Sequence, residues 1–359
     1  MKNLIYPIGK QYWRKKSRAI STIFALQMAL VLFILSIGIS LIEGINFNLG
    51  FCKESVYFIE PKAGKYEEVK KLLKNCKQID KVIPGTSQNV RSKVFFFSCG
   101  GTLYVKMKEE DLSDFVQNYD IKLVKGRMPT NSKELVASSQ CIYQGKSKIG
   151  EWLGEEIGLD TGYKVSGCIK GRHNILLGIT DKEEVLMVLY KQNVKSDVKT
   201  FLEAHQDLYE KRFGEEEVDE FLELLIRNLG FIGLVIGILF VLQMNSTLNS
   251  LIDTYYNQEM NEIALFHIMG YNRKQVRGRL ILQSGWIYFI GAVGGYLLGE
   301  CCIVLFYYLY CEPRGIFWIL WHIIYILVPI LIGSALFIVQ CMKINRKLNK
   351  IEWITILQS

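Results

Sequence analysis

Four long stretches without a formal charge constrain this chain more than any other feature. They cover residues 19–42, 228–252, 280–299 and 315–342 and are 24, 25, 20 and 28 residues long. A helix of about 20 apolar residues crosses the hydrocarbon core of a bilayer, where every backbone amide must be paired within its own segment. The sequence therefore predicts four transmembrane helices. The first stretch is too long for the h-region of a cleaved signal peptide, so we interpret it as an uncleaved anchor.

The charges near the ends of these stretches predict the orientation of the protein. Residues 1–18 carry six Lys or Arg, residues 253–279 carry four and residues 343–359 carry four, whereas residues 300–314 carry one. Basic residues beside membrane helices stay in the cytoplasm. Both termini are therefore expected inside and residues 43–227 outside, in a plasma-membrane protein. The net charge of +8 then reflects topology, and no nucleic-acid partner is expected.

The predicted fold is membrane α-helical, with four transmembrane helices, N-in and C-in, and a large α+β extracytoplasmic domain between helices 1 and 2. The predicted order is a basic cytoplasmic elbow (1–18), helix 1 (19–42), the extracytoplasmic domain (43–227), helix 2 (228–252), a cytoplasmic coupling elbow (253–279), helix 3 (280–310), helix 4 (315–342) and a cytoplasmic tail (343–359).

The extracytoplasmic segment alternates strand-like runs with amphipathic windows. A helix is expected over residues 66–77. The window 196–225 has a heptad-like pattern and is expected to be helical, with a break at Gly214, and to run straight into the second membrane helix. Such a connection could transmit movement between the domain and the bilayer. The predicted strands are residues 56–59, 94–98, 102–107, 165–169 and 185–189.

The nine cysteines do not predict a metal site. None belongs to a Cys-x-x-Cys pair, and no Cys and His cluster has zinc-site spacing. Five lie in the extracytoplasmic segment, an odd number, so at least one of them has no partner within the chain. A disulfide among the others stays open. These five are Cys52, Cys76, Cys99, Cys141 and Cys168.

The coupling elbow has an unusual sequence. Polar residues 257–262 precede an apolar run over 263–269, which Gly270 ends as a helix C-cap would, and Asn272 can cap the next helix. The pattern predicts a short helix folded under the membrane. Its apolar face requires a cover, and composition leaves two: the lipid interface, which composition alone favours, or another protein.

Three segments resemble the FtsX/MacB-type permeases of ABC transporters. Residues 262–270, Glu-Ile-Ala-Leu-Phe-His-Ile-Met-Gly, are similar to the family signature between the second and third of four spans. Residues 123–129, with Gly-Arg-Met-Pro at their end, and 133–137, Lys-Glu-Leu-Val-Ala, resemble the family's extracytoplasmic domain. The basic segment 12–22 resembles the elbow before its first span.

The resemblance implies that the elbow seats in a cleft of a cytoplasmic ABC ATPase subunit. Asn261 and His267 stand where the family usually has basic residues. The family works as a permease pair, so a second copy or a paralogue is an expected partner, together with membrane lipid. The coupling residues that the resemblance implies are Glu262, Ile263, Leu265, Phe266, Met269 and Gly270.

No motif predicts catalysis by this chain. A P-loop needs Gly-x4-Gly-Lys-Ser/Thr, and the one near match, Gly145-Lys146-Ser147, has Gln140 in place of the first glycine. We therefore expect no enzyme activity, no catalytic residue, and no cofactor or metal in this chain. The resemblance implies that ATP and Mg²⁺ bind the partner ATPase.

Glycines spaced four residues apart predict helix pairing in the membrane, because small residues let two helix backbones approach closely. The sequence leaves open whether the partner helix belongs to the same chain or to a second copy. The motif residues are Gly233 and Gly237 in the second span and Gly291, Gly295 and Gly299 in the third.

The predicted function is that of a permease subunit of an ABC complex. Hydrolysis of ATP by the partner would move the 43–227 domain and export an amphipathic peptide, drug or lipid-linked cargo. The alternative is a signalling subunit without transport, which controls a cell-wall hydrolase or senses antimicrobial peptides. A third possibility is a membrane-anchored receptor that has no ATPase partner.

Overall fold

The structure is a computed structural model that describes residues 15–350, apart from positions 54, 95, 96 and 214. Some side chains within that range are also outside the description, among them those of 93–101, 211–222 and 258–268. The chain forms two compact units. Among the described residues, one unit is helical and contains 15–38, 230–306 and 319–350, and the other contains Ile39–Leu229 and Tyr307–Trp318.

Four long helices in the described residues are apolar enough to cross a membrane, over Ser17–Leu49, Ile226–Asn257, Arg273–Arg314 and Ile323–Leu348. The protein is therefore a membrane protein with four candidate spans. The helices are α1 (Lys15–Leu49), α2 (Tyr66–Lys74), α3 (Glu109–Asn118), α4 (Ser139–Gln144), α5 (Lys195–Glu203), α6 (Glu215–Ile268), α7 (Arg273–Phe306) and α8 (Ile323–Lys350).

The second unit contains a mixed sheet, which has ten strands across the described residues. Its order is β10-β1-β9-β2-β3-β8-β5-β7-β4, with β6 paired to β7. The pairs β3–β8 and β5–β7 are parallel and the others are antiparallel. The strands are β1 (Val56–Pro61), β2 (Ile79–Val94), β3 (Phe97–Met107), β4 (Lys122–Gly126), β5 (Glu134–Ser138), β6 (Trp152–Leu153), β7 (Tyr163–Lys170), β8 (Ile175–Ile179), β9 (Val185–Tyr190) and β10 (Tyr209–Phe213).

Both faces of the sheet are covered at β1, β8 and β9, which explains the apolar runs of these strands. In β1, Val56 and Phe58 join the core that includes α3, whereas Tyr57 and Ile59 join the core under α2 and α5. Alternate residues of one strand thus enter opposite cores, as the two-residue period of a strand requires. The fold confirms a mixed α and β domain between the first two candidate spans.

The helical unit has its own core, built from α1, α6, α7 and α8. Its buried residues are Ile20, Phe24, Met28, Met244, Leu248, Ile252, Tyr255, Tyr256, Val276, Leu280, Ile287, Tyr288, Leu336, Ile344 and Leu348. Burial of α6 in this core begins at Met244 and recurs at three- and four-residue steps, the spacing of one helix face. The part of α6 from Met244 to Tyr256 therefore packs inside the bundle.

Two predicted elements differ in the structure. The window 196–225 is not one helix, because β10 (Tyr209–Phe213) separates α5 from α6 and pairs with β1. Residues 315–322 precede α8 and are not helical. Ile316 and Trp318 are buried in the sheet unit, so their apolar character reflects contact with protein and not with lipid. The predicted strand over 94–98 falls at the β2–β3 turn, where positions 95 and 96 are outside the described residues.

Candidate functional site

The turn between α6 and α7 contains the end of the predicted coupling segment. Gly270 has φ of +86°, a left-handed conformation that ends α6 at little steric cost. Asn272 then caps α7: the Gln275 backbone N–H donates to Asn272 Oδ1 at 2.9 Å, and the Asn272 N–H donates to Gln275 Oε1 at 2.9 Å. Both predicted caps are confirmed. Met269, with 62% of its surface exposed, lies on the turn beside exposed Tyr271.

The rest of the coupling segment lies in α6. The backbone is helical without interruption from Glu215 to Ile268, so the separate short helix expected under the membrane is wrong. The physical reason is that no Gly or Pro occurs between the second apolar stretch and Gly270 to end the helix. The side chains of Glu262, Ile263, Leu265 and Phe266 are outside the described residues, and their role in coupling stays a prediction.

The turn follows a tightly bonded part of the bundle. Tyr256 of α6 shares a hydrogen bond with Ser284 of α7, and Gln283 of α7 donates to the Tyr255 hydroxyl. The Lys347 ammonium of α8 also donates to Asp253 at 2.9 Å. These hydrogen bonds link α6 both to α7 and to α8.

The glycines of α7 pack against α1 within the same chain. A Cβ placed on Gly295 would lie 2.6 Å from Met28 Cβ and 2.8 Å from the Ala25 carbonyl oxygen. The corresponding position on Gly291 meets the Phe24 ring. Gly299 makes the third contact, where a Cβ would lie 2.9 Å from Leu32 Cδ1. For the third span, the partner helix is thus the first span of the same chain.

The glycines of α6 lie in a different environment. No described atom lies within 4 Å of a Cβ placed on Gly233 or Gly237. The surrounding large apolar side chains are exposed, so the part of α6 over 231–242 has no helix partner among the described residues. These exposed residues are Phe231, Ile232, Leu234, Val235, Ile236, Ile238, Leu239 and Leu242.

A buried polar cluster, which we call the Asn174 junction, joins the end of α1 to the sheet. It consists of Asn48, Thr102, Ser138, Cys141 and Asn174, none more than 5% exposed. The Asn174 amide nitrogen donates to Asn48 Oδ1 at 2.7 Å and to Thr102 Oγ1 at 3.3 Å. Its amide oxygen accepts from Ser138 Oγ at 2.5 Å and from Cys141 Sγ at 3.3 Å.

The backbone reinforces the Asn174 junction. The Asn174 N–H donates to the Phe47 carbonyl oxygen at 2.8 Å, in the last turns of α1. Burial raises the pKa of the Cys141 thiol to about 11, so the thiol keeps its proton and can donate. Buried polar groups are costly unless paired, and here one side chain satisfies partners from α1, β3, β5 and α4. The end of the first span is thereby fixed to the domain.

Sequence reasoning missed this junction. Asn174 follows Gly-Arg-His in a short polar stretch between two strands, and it belongs to no motif or periodic pattern. Its partners lie from 33 to 126 positions away along the chain. A polar residue directly before the apolar run of β8 was the one local signal available.

The Gly-Arg-Met-Pro and Lys-Glu-Leu-Val-Ala segments meet through an ion pair. The Arg127 guanidinium donates to both oxygens of Glu134, at 2.6 and 2.8 Å, and the Thr130 backbone N–H donates to the same carboxylate at 3.1 Å. Hydrogen bonding from Arg127 is the main cause that lowers the pKa of Glu134 to about 2, and the bond from Thr130 adds to it. The pair closes the turn between β4 and β5, a structural role.

The region that holds the α6–α7 turn and the packed bundle also carries the family match. Residues 234–347 match the family described as FtsX-like permease C-terminal. This part of the chain therefore resembles the C-terminal domain of FtsX-like permeases. The family predicted from residues 262–270 is thus confirmed, and the matched residues cover the second half of α6, all of α7 and most of α8.

Two of the solved structures similar to this chain are a periplasmic region and an extracellular domain. The periplasmic region of MacB from Actinobacillus actinomycetemcomitans is 12% identical with a TM-score of 0.28, over 47% of this chain and 92% of that one. The extracellular domain of the noncanonic ABC-type transporter YknZ from Gram-positive bacteria is 13% identical with a TM-score of 0.28, over 44% and 96%. TM-scores this low do not establish shared function. No protein with a curated description matches the sequence.

Proposed function

We propose that this FtsX-like permease is the membrane subunit of an ABC complex and that a separate cytoplasmic subunit binds Mg²⁺ and ATP and hydrolyses the nucleotide. The match of residues 234–347 to the FtsX-like permease family carries this proposal. The family works with a cytoplasmic ATPase. The chain itself supplies no P-loop, so it receives mechanical work and performs no catalysis.

The α6–α7 turn is the proposed point of contact with the ATPase. The exposed Met269 and Tyr271 suit a protein groove, since burial of an exposed apolar side chain contributes about 1.5–3 kcal/mol. Glu262 would add one acidic contact. The four basic residues in 253–279 favour a cytoplasmic location for this turn, with both termini on the same side of the plasma membrane.

Two continuous helices provide the route for movement. A push on the turn acts on α6, which is unbroken from Ile268 back to Glu215, directly after β10. The bonded Tyr255 and Tyr256 region passes the push to α7, whose glycines contact α1. At its other end α1 is fixed to the sheet by the Asn174 junction. We propose that the moving domain extrudes an amphipathic peptide, drug or lipid-linked cargo.

Copurification tests the docking step. The full chain, tagged and purified from its native membrane in mild detergent, is photolabelled with azido-ATP, which marks any ATP-binding subunit that copurifies. A Glu262→Arg, Phe266→Asp double variant is expected to lose most of the labelled subunit, because it reverses the charge and removes the apolar contact.

A matched control makes the same two kinds of change in the extracytoplasmic domain. Glu155→Arg with Trp152→Asp alters an exposed acid and an exposed aromatic residue near β6. This variant should retain the labelled subunit at the level of the unmodified chain. Equal retention by the elbow variant would show that the ATPase does not dock at residues 262–270.

A further inference from the structure

One cavity in the sheet unit has no role in the proposed coupling. It has a volume of about 480 Å³, the size of a small-ligand site. Four segments line it: the end of α1, the edge of the sheet at β4 and β7 with the loop that follows, the junction of β5 with α4, and the segment before α8. The lining residues used below are Glu43, Phe47, Val124, Lys170, Arg172 and Phe317.

Chain connectivity places this cavity at a membrane boundary. Glu43 and Phe47 belong to the last turns of the first candidate span, and Phe317 lies between the third span, which ends at Arg314, and α8. In a bundle whose spans alternate in direction, the end of the first span, the end of the third and the start of the fourth face the same side. A ligand of this cavity is therefore within reach of lipid headgroups.

The walls of the cavity combine aromatic and cationic surfaces. The Phe47 and Phe317 rings stack with centroids 4.8 Å apart at 22°. The charged part of the wall has two positive charges, from Lys170 and Arg172, and one negative charge, from Glu43. An apolar surface beside an excess of positive charge fits an amphiphile with an anionic head.

The edge of the sheet at β4 and β7, beside the cavity, is also positively charged. In the antiparallel β4–β7 pair Lys122 lies opposite Lys170, and like charges in that position repel. Asp120 is 3.3 Å from Lys122, but Lys170 makes no ion pair with any residue that the structure describes. A bound anion would relieve this repulsion.

A bulge in β4 turns an apolar side chain toward the cavity rim. The pairing of β4 with β7 shifts between Leu123 and Lys125, which leaves Val124 without an opposite residue. Val124 is 63% exposed and Leu123 is 42% exposed, with a lysine on each side of the pair. Bulges re-aim side chains at functional edges, and a basic and apolar edge at a membrane boundary suits contact with anionic lipid.

From these observations we propose that the cavity and the β4 edge form a binding site for an anionic phospholipid of the adjoining leaflet. The phosphate lies between Lys170 and Arg172, and the start of the acyl chains contacts Val124 and the aromatic pair. The cavity is preformed, because Ser138 of the Asn174 junction is part of its wall. The site does not depend on the proposed function.

Lipid binding to the full chain in detergent tests the proposal, with native mass spectrometry as the readout. Phosphatidylglycerol is expected to bind more tightly than phosphatidylcholine. A Lys170→Glu, Arg172→Glu variant should weaken phosphatidylglycerol binding at least about tenfold, since each basic residue near anionic lipid contributes about 1 kcal/mol. Glu43→Gln should tighten it, because a repulsive charge is removed, an effect that a purely structural role for Glu43 would not produce.

Lys182→Glu is the matched control. Lys182 is an exposed lysine after the far end of β8, roughly 17 Å from the cavity by strand rise, and its reversal should leave lipid binding unchanged. Equal binding of the two lipids by the unmodified chain would overturn the proposal, as would equal effects of the Lys170, Arg172 variant and Lys182→Glu. Competition by inorganic phosphate as effective as that by the short-chain lipid would assign the cavity to a free anion instead.

Discussion

Asn174 shows at the residue scale how one buried amide can fix the end of a membrane helix. Each of its polar atoms is used, and each of its four side-chain partners comes from a different element. In a buried setting, removal of the central group leaves several donors and acceptors unpaired, which costs more than the bonds themselves contribute. The residue therefore matters more to stability than its small size suggests.

We predict that Asn174→Leu destabilises the sheet unit by roughly 2–4 kcal/mol, since the variant keeps a similar volume but removes the hydrogen bonds that Asn174 makes with Asn48 and Ser138. Urea unfolding of the full chain in detergent measures the change. The exposed Asn118 gives the control, where the same substitution should change stability by less than about 0.5 kcal/mol. An equal effect of the two substitutions would contradict the role of the Asn174 junction.

Glu134 and Glu183 each form ion pairs with basic residues. Glu183 accepts from Lys70 at 2.7 Å and from Lys108 at 2.8 Å. Hydrogen bonding from Lys108 and then Lys70 lowers the pKa of Glu183 to about 2, as Arg127 does for Glu134. The pKa of each carboxyl is therefore lower in the folded protein than its ordinary value of 4.5.

A carboxyl whose folded pKa is lowered stabilises the fold above its unfolded pKa, and this contribution is lost as pH falls toward the folded value. We therefore expect thermal stability of the domain to decline between pH 4.5 and about 2. Glu134→Gln should be less stable than the unmodified chain at pH 7, and the difference should narrow over the same range. A difference that is constant with pH would exclude the Arg127 pair as its source.

At the element scale, glycine spacing has two different outcomes in this protein. The α7 glycines let α1 approach until no Cβ fits between the helices, whereas the same spacing in α6 faces no described atom. Spacing therefore identifies a surface suited to close packing but does not identify the partner. The identity of the partner depends on which helix the bundle brings opposite.

We predict that Gly295→Ile lowers the thermal stability of the full chain, because overpacking against Met28 and Ala25 costs about 1–3 kcal/mol. Gly237→Ile has open space at the corresponding position and should leave the unfolding midpoint of the monomer unchanged. Differential scanning fluorimetry in detergent compares the two. If Gly295→Ile were tolerated as well as Gly237→Ile, the α1–α7 contact would be wrong.

At the scale of the whole molecule, charge distribution predicts an orientation that the coordinates alone do not define. Basic residues cluster at the start of α1, at the start of α7 and at the end of α8. In a bundle whose spans alternate in direction, these three points lie on the same side of the membrane. The positive-inside rule then places the sheet unit on the outer side. The proposed docking of an ATPase at the α6–α7 turn requires this orientation.

Labelling of introduced cysteines in intact cells with a membrane-impermeant maleimide checks the topology. We expect Lys182→Cys to be labelled more strongly than the unmodified chain, whose nine cysteines define the background labelling. Arg273→Cys at the start of α7 should gain label only after permeabilisation. The reverse pattern would place the turn outside the cell and exclude its contact with a cytoplasmic ATPase.

The sequence predicted those features that depend on neighbouring residues. Uninterrupted apolar runs gave the four candidate spans, short strand-like runs gave β1, β7, β9 and part of β3, and Gly270 and Asn272 gave both caps of the α6–α7 turn. Each of these depends on local geometry or on burial in a uniform medium, so a short window contains the information. The segment 262–270, which resembles the family signature, likewise lies within the match to the FtsX-like permease C-terminal family over 234–347.

Tertiary structure alone decided the features that join distant residues. Residues Tyr209–Phe213 pair with β1 and form a strand where a heptad pattern predicted helix. Ile316 and Trp318 are buried in the sheet unit, and α8 begins only at Ile323. The Asn174 junction and the cavity beside β4 arise from residues more than a hundred positions apart. The sequence specifies each side chain, but only the folded chain brings together the partners that satisfy a buried polar group.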